Sequence, residues 1–213
     1  MKQFKIRASG AGNIMGAKGL GKTGESYLQQ WVKEQLYGRK KIMTNKYVEK
    51  GLIMEDESLD YVADNLGYGI LVKNEKFFSN EYFTGTPDVI LKDHIIDVKN
   101  SYDCFTFPLF ENDIPNKDYI YQAQIYMDLV GLDSYKLIYT LMDTPEHQIE
   151  KDFKWNNTKQ LEYKEFKKDY IYNSLKPELR IKVFDIKRDE KIINTIKQRV
   201  IESREYINKL INK

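Results

Sequence analysis

Residues 85–99 read GTPDVILKDHIIDVK. Two short apolar runs, 86–91 and 94–99, flank the dipeptide Lys92-Asp93, the pattern of two antiparallel strands joined by a tight turn. Side chains alternate along a strand, so Asp97 and Lys99 share a face. Asp88 opens the first strand, and in a hairpin the start of the first strand lies beside the end of the second. Two carboxylates and an ammonium are therefore expected on one side of a sheet. Ile95, Ile96 and Val98 make the second strand apolar, so Asp97 and Lys99 interrupt a segment that otherwise looks buried, and polar groups there need a reason. A surface salt bridge is the plain alternative for so loose a spacing in a chain that is 31% charged.

Hydrolysis of a phosphodiester gives such a set a use. Two carboxylates hold Mg2+, which stabilises charge on the phosphoryl oxygens and lowers the pKa of a bound water. The lysine orients or activates that water, or stabilises the pentavalent oxyanion. The backbone carbonyl of Val98 points the same way and is a further candidate ligand.

Outward from this hairpin the pattern is mixed. Residues 10–24 are glycine-rich and read as a loop. Helices are expected at 25–37, capped by Gly38, and at 48–66, ending at Gly67. Residues 70–73 and 80–83 read as short strands. A helix at 118–130, a buried strand at 134–142, mostly helix over 146–173, a strand at 180–187 and a long amphipathic helix at 189–212 follow. That order predicts a single α/β domain, a mixed β-sheet flanked by helices. Within residues 1–213, residues 1–50 form a basic N-terminal segment, 51–142 a catalytic core and 189–212 a C-terminal helix.

Composition bounds the chemistry. The 213 residues suffice for one domain with a sizeable core. Mean hydropathy is −0.61, no apolar run nears the ~20 residues that span a bilayer, and the start, MKQFKIRASG, lacks the apolar stretch of a secretory signal. No membrane partner is expected, and the cytoplasm, that of a host cell if the gene is phage-borne, is the expected location. The one cysteine, Cys104, reads as a partly buried thiol and excludes a disulfide framework or an Fe–S cluster within the chain. His94 and His147 lack ligand spacing, so any metal should be a hard cation held by oxygen. Net charge is only +2, but residues 1–50 hold eleven Lys or Arg against three Glu, an excess of eight, which leaves −6 on the rest. A basic first quarter beside an acidic body suits a polyanion-binding face next to a carboxylate site.

These residues resemble the PD-(D/E)xK nuclease superfamily, and within it the lambda-exonuclease-like (YqaJ-type) viral recombination nucleases. IRASGAGNIM (6–15) resembles the family's N-terminal segment, KGLIMEDE (50–57) its Gly-x-x-x-Glu helix, GTPDVILKDHIIDVK its core motif, YQAQIYM (121–127) its Gln-x-Gln-x-x-Met helix, and FDIKRDEKII its C-terminal end. The resemblance implies a restriction-endonuclease-like core and a two-metal site. Asp88 and Asp97 would ligate Mg2+, for which Mn2+ substitutes. Glu55 would assist directly or through water, Lys99 would serve the nucleophile, and Gln122 would position that lysine or the water, with Gln124 as its near competitor. It also implies degradation of linear double-stranded DNA from an end, 5′ to 3′, leaving 3′ single strands for phage recombination. A single-strand annealing protein as partner and a homotrimeric ring follow from it too. Ser9, Thr86 and a cation would bind the DNA 5′-phosphate. The family has an arginine seven residues before the serine, where this chain has Lys2; Arg7 is the nearby arginine.

One motif competes. Gly16-Ala-Lys-Gly-Leu-Gly-Lys22-Thr23 satisfies the phosphate-cradling pattern G-x-x-x-x-G-K-[ST], with LIYTLMD, ending at Asp143, as a candidate partner. That motif must follow a buried strand, and SGAGNIM is not one, so ATP is not expected as a cofactor. A P-loop ATPase acting on DNA stands as the alternative, beside an endonuclease of the same superfamily or a DNA-binding module without chemistry.

Overall fold

A computed structural model describes residues 2–41 and 46–212. In chain order they form β1 (Ile6–Arg7), a 3-10 turn at Ala8–Ile14, α1 (Gly21–Tyr37), α2 (Lys46–Ile53), α3 (Glu55–Leu66), β2 (Phe78–Ser79), β3 (Phe83–Gly85), β4 (Val89–Ile90) and β5 (Ile95–Asn100). Then come α4 (Lys117–Val130), β6 (Ser134–Thr140), α5 (Glu146–Asn156), α6 (Tyr163–Lys167), β7 (Ile181–Lys187) and α7 (Glu190–Ile211). The result is one mixed α/β domain. Its strands fall into two sheets, a small one in the order β1-β3-β2 and a larger one in the order β4-β5-β6-β7. β5 and β6 run parallel, while β4 and β7 flank them antiparallel.

The period of two in the strands divides the core. Ile95 of β5, Tyr135, Leu137 and Tyr139 of β6, and Phe184 and Ile186 of β7 face the larger cluster, shared with Leu28, Ala123, Ile125, Met127, Ile193, Ile196 and Val200. The even-numbered Ile96 and Ile138 face the smaller cluster, with Leu59 and Val62 of α3 and Val89. α4 is buried on every side from Gln122 to Met127 because it lies between the sheet and the layer made by α7 and the 8–14 turn. Asn116 caps it through Asp118 N at 3.0 Å, and Asp189 caps α7 through Lys191 N at 2.8 Å. Gly85 is required where β3 passes α4, since a Cβ there would stand 2.5 Å from the Tyr126 ring.

Five readings change. The strand expected at 80–83 is largely the turn between β2 and β3, with only Phe83 in a strand. The helix expected at 48–66 divides at Met54 into α2 and α3, where the backbone leaves helical geometry at φ −90° and ψ 3° while the Met54 N–H still bonds Lys50 and the Met54 carbonyl still accepts from Ser58. Residues 70–73 are not a strand; they belong to an irregular segment tied down at Asn74. The helix over 146–173 is interrupted at 157–162, where the Asn157 side chain bonds Leu161 at both N–H and carbonyl. Cys104, expected to be partly buried, is exposed in the turn after β5. No helix among the described residues is long and apolar enough to cross a membrane.

Candidate active site

Ladder phase explains why two acids meet here. Val89 pairs with Ile96 and Ile90 with Ile95, so the same register sets Asp88 opposite Asp97 and Pro87 opposite Val98. The Leu91 N–His94 O bond of 2.9 Å marks 91/94 as a hydrogen-bonded pair. Alternation makes 89/96 and 87/98 the next such pairs and leaves 88/97 as a non-bonded pair, whose side chains approach most closely. Pro87 has no N–H to give, so that ladder bond to the Val98 carbonyl is missing and an acceptor is left beside the two acids. The carbonyls of Asp88 and Pro87 accept from Asn74, from its N–H at 2.7 Å and its Nδ2 at 2.9 Å.

Asp97 is fully buried, and Lys99 Nζ lies 2.6 Å from its Oδ2. The contact is an ion pair; neither Asp97 oxygen has a well-directed hydrogen-bond partner among the described residues. Burial, then the charge of Asp97, pushes the Asp88 carboxyl up to about 9. Burial opposes the Lys99 ammonium, but Asp97 and Asp88 outweigh it and raise its pKa above the usual lysine range. Aromatic rings wall the site. Lys99 Nζ stands 5.5 Å from the centre of the Tyr119 ring. Burial, followed by Asp97 and Asp88, holds the Tyr135 phenol well above its ordinary pKa and pushes that of Tyr126 up to about 12.

A divalent cation fits this donor set. Asp97 is fully buried with Asp88 half-buried beside it, Asp88 keeps a proton, and the Val98 carbonyl that Pro87 cannot reach adjoins them; a cation would replace that proton and balance the two carboxylates. Asp88, Asp97 and the Val98 carbonyl are the groups that would hold it. Glu55 stands apart. It begins α3, whose Leu59 and Val62 pack with Ile96, so it approaches from the other face of β5. Its charge reaches Asp88, but its Oε2 lies 2.7 Å from Lys73 Nζ. Among the described residues no three His, Cys, Asp or Glu side chains cluster closely enough to hold a metal.

The remaining candidates separate. Gln122 is buried beside Tyr126, whose phenol senses the two acids and Lys99. Gln124 is committed elsewhere: its Nε2 donates to the Lys187 carbonyl and its Oε1 accepts from Asp189 N, both at 2.8 Å, fixing the turn into α7. Parallel pairing of β1 with β3 sets Arg7 beside Thr84. Ala8 lies against Gly85, Ser9 follows in the 3-10 turn that begins at Ala8, and Thr86 follows β3. Lys2 precedes β1 and is exposed, whereas Ser9 follows it. Gly16–Thr23 follows a 3-10 turn, not a strand, and Asp143 accepts from Tyr172 N at 2.6 Å. Lys22 and Thr23 border an open cleft of about 550 Å³ with Ser26 and Tyr27. Lys73 and Asn74 escaped the sequence reading, since one lysine and one asparagine in an aperiodic loop carry no signal.

No protein-family model matches the chain, and no curated protein is significantly similar to it. Solved structures do match. A phage-related exonuclease from Haemophilus somnus 129PT superposes with a TM-score of 0.83 at 26% identity, covering 99% of this chain and 96% of that one. An alkaline exonuclease from Laribacter hongkongensis gives 0.70 at 15% identity, covering 98% and 90%, and its complex with dAMP gives 0.68 at 16%. The resemblance read from five sequence segments thus extends to the fold over nearly the whole chain.

Proposed function

We propose that this chain, built on the fold of the phage-related and alkaline exonucleases, is itself a metal-dependent DNA exonuclease. What supports the reading above all is the fully buried Asp97, with the half-buried Asp88 beside it and Lys99 Nζ 2.6 Å from Asp97 Oδ2. A module that only bound DNA would gain nothing from pairing a buried carboxylate with a half-buried one where phosphates must approach. Mg2+ held by these acids would supply Lewis-acid stabilisation of the phosphoryl oxygens and an acidified water. The chain's own groups do the rest. Asp88 and Asp97 are the side chains that would hold the cation from the hairpin. Lys99, held as an ammonium by Asp97, orients the attacking water and meets negative charge as it grows on the phosphoryl group. Tyr119, Tyr126 and Tyr135 exclude bulk water, which strengthens each of these interactions. Gln122 steadies that wall through Tyr126.

The finer reading is degradation of linear duplex 5′ to 3′, without ATP, to leave 3′ single strands for recombination. A trimeric ring and a single-strand annealing protein as partner complete it, in the cytoplasm of a phage-infected host. The test is end-labelled linear duplex against covalently closed circular DNA, with Mg2+ and no nucleotide. Release of label from linear DNA alone is the expected result. Equal cutting of the closed circle makes the chain an endonuclease, and dependence on ATP returns the P-loop reading.

A further inference from the structure

Two ammonium groups divide the acids in and near this site, with Glu55 and Lys73 in electrostatic reach of Asp88 but outside the Asp88–Asp97 pair. Lys99 serves Asp97 at 2.6 Å, and Lys73 serves Glu55 at 2.7 Å while standing 3.9 Å from Asp56 Oδ1. Lys73 belongs to an irregular segment, and an unanchored surface lysine would gain little from one ion pair. Its neighbour supplies the anchor. Asn74 bonds the carbonyls of both Pro87 and Asp88, so the segment is fastened to the backbone that carries the first catalytic acid. Lys73 is thereby held between α3 and the hairpin.

A cation of charge +2 placed between Asp88 and Asp97 upsets this balance. It repels both ammonium groups and competes for Glu55. Lys99 stays, being mostly buried on β5 with its side chain 23% exposed. The Lys73 side chain is 43% exposed on a flexible stem and can leave at little cost. We propose that Lys73 is the resident counter-ion of Glu55, exchanged for a divalent cation when one binds at Asp88 and Asp97, so that it sets how tightly the site holds its metal. The inference rests on the metal-site reading of those two acids.

Mn2+ titrated calorimetrically into the DNA-free protein at fixed pH and ionic strength tests it. Lys73→Met should bind Mn2+ roughly three- to tenfold tighter than wild type, the scale of removing one nearby positive charge at a partly exposed site. Lys73→Arg should return to near wild-type affinity. Glu55→Gln should weaken binding, and adding Lys73→Met to Glu55→Gln should recover little, because the two residues act as one unit. Equal or weaker binding by Lys73→Met overturns the exchange, as does the same gain in the Glu55→Gln background. Asp97→Asn separates the two levels: if it binds Mn2+ as wild type does, the metal-site reading itself fails and the exchange falls with it.

Discussion

Asp88 and Asp97 meet because a proline and a ladder phase put them in a close, non-bonded pair, and without a cation one proton is the least costly way to keep both. Burial and then Asp97 hold the Asp88 carboxyl up to about 9, against 3.8 for the ordinary group. A folded pKa raised above the unfolded one means that the folded state binds the extra proton between those values. The associated stability is complete below about pH 4 and is lost as pH rises to about 9. Asp88→Asn, which cannot ionise, should flatten that decline. In scanning calorimetry with chelator present, it should melt above wild type at about pH 9, by roughly 3 °C or more, and show little gain at about pH 4. Parallel melting profiles for the two proteins would place the extra proton elsewhere. Lys99→Ala should keep the fold and DNA binding yet lose at least ~10²-fold in cleavage rate, measured in single turnover; near wild-type turnover would remove Lys99 from the chemistry. The three residues of this set could be read from the sequence because a period of two in an apolar strand makes an intruding acid and lysine conspicuous. Lys73 could not, since its partner Glu55 lies eighteen residues away on another element and the loop between has no period.

Elements carry a second kind of information, visible where the expected helix 48–66 divides. In sequence, Lys50 beside Glu49 looks like a solvated helix face. In the structure Lys50 is buried, donating to the carbonyls of Tyr102 and Met142 at 2.8 Å and to Thr144 Oγ1 at 3.2 Å. Burial lowers its pKa to about 8, with Asp103 and Asp143 pulling back. It pins α2 to the chain leaving β5 and β6. A further relay runs from Thr140 Oγ1 to Asn100 at 2.8 Å and from Asn100 to Ser58 at 2.6 Å, reaching the junction where α3 and Glu55 begin. Long-range acceptors of this sort leave no local trace, which is why one continuous helix was expected. Lys50→Met removes the donor and strands buried carbonyls, so it should cost about 2–4 kcal/mol of unfolding free energy in urea. A cost within ~0.5 kcal/mol, typical of surface substitutions, would show that Lys50 is not the pin. The long elements were legible for the opposite reason: α4, β6 and α7 carry their own periodicity and caps, and their expected bounds differ from the observed ones by only a residue or two.

At the scale of the whole molecule, the small sheet gives the basic N-terminal segment a fixed place beside the hairpin. β1 runs parallel to β3, and β3 leads through Thr86 and Pro87 directly into Asp88. Arg7, Ser9 and Thr86 are thereby brought to one end of the small sheet, a few residues of rigid backbone from the carboxylate pair, while Lys2 lies before β1. A terminal phosphate carries more charge than an internal diester, so a guanidinium with two hydroxyl donors can discriminate between them. If this end of the sheet holds a 5′-phosphate, the backbone from Thr86 to Asp88 acts as a ruler that sets the scissile bond over the metal site. Duplex with a 5′-phosphate should then be degraded faster than duplex with a 5′-hydroxyl. Arg7→Ala should narrow that gap by slowing the phosphorylated substrate, leaving the hydroxyl substrate nearly unchanged. Lys2→Ala should leave the ratio intact and at most weaken binding to both, because its charge would act only as part of the diffuse basic field. Initial rates on the two substrates, at matched salt, decide the matter. Equal rates in wild type and both variants would mean that Lys2 and Arg7 are solvated charges only. A ratio lost in Lys2→Ala but kept in Arg7→Ala would move the pocket to the other end of β1, away from Thr86, and the ruler would then have no origin.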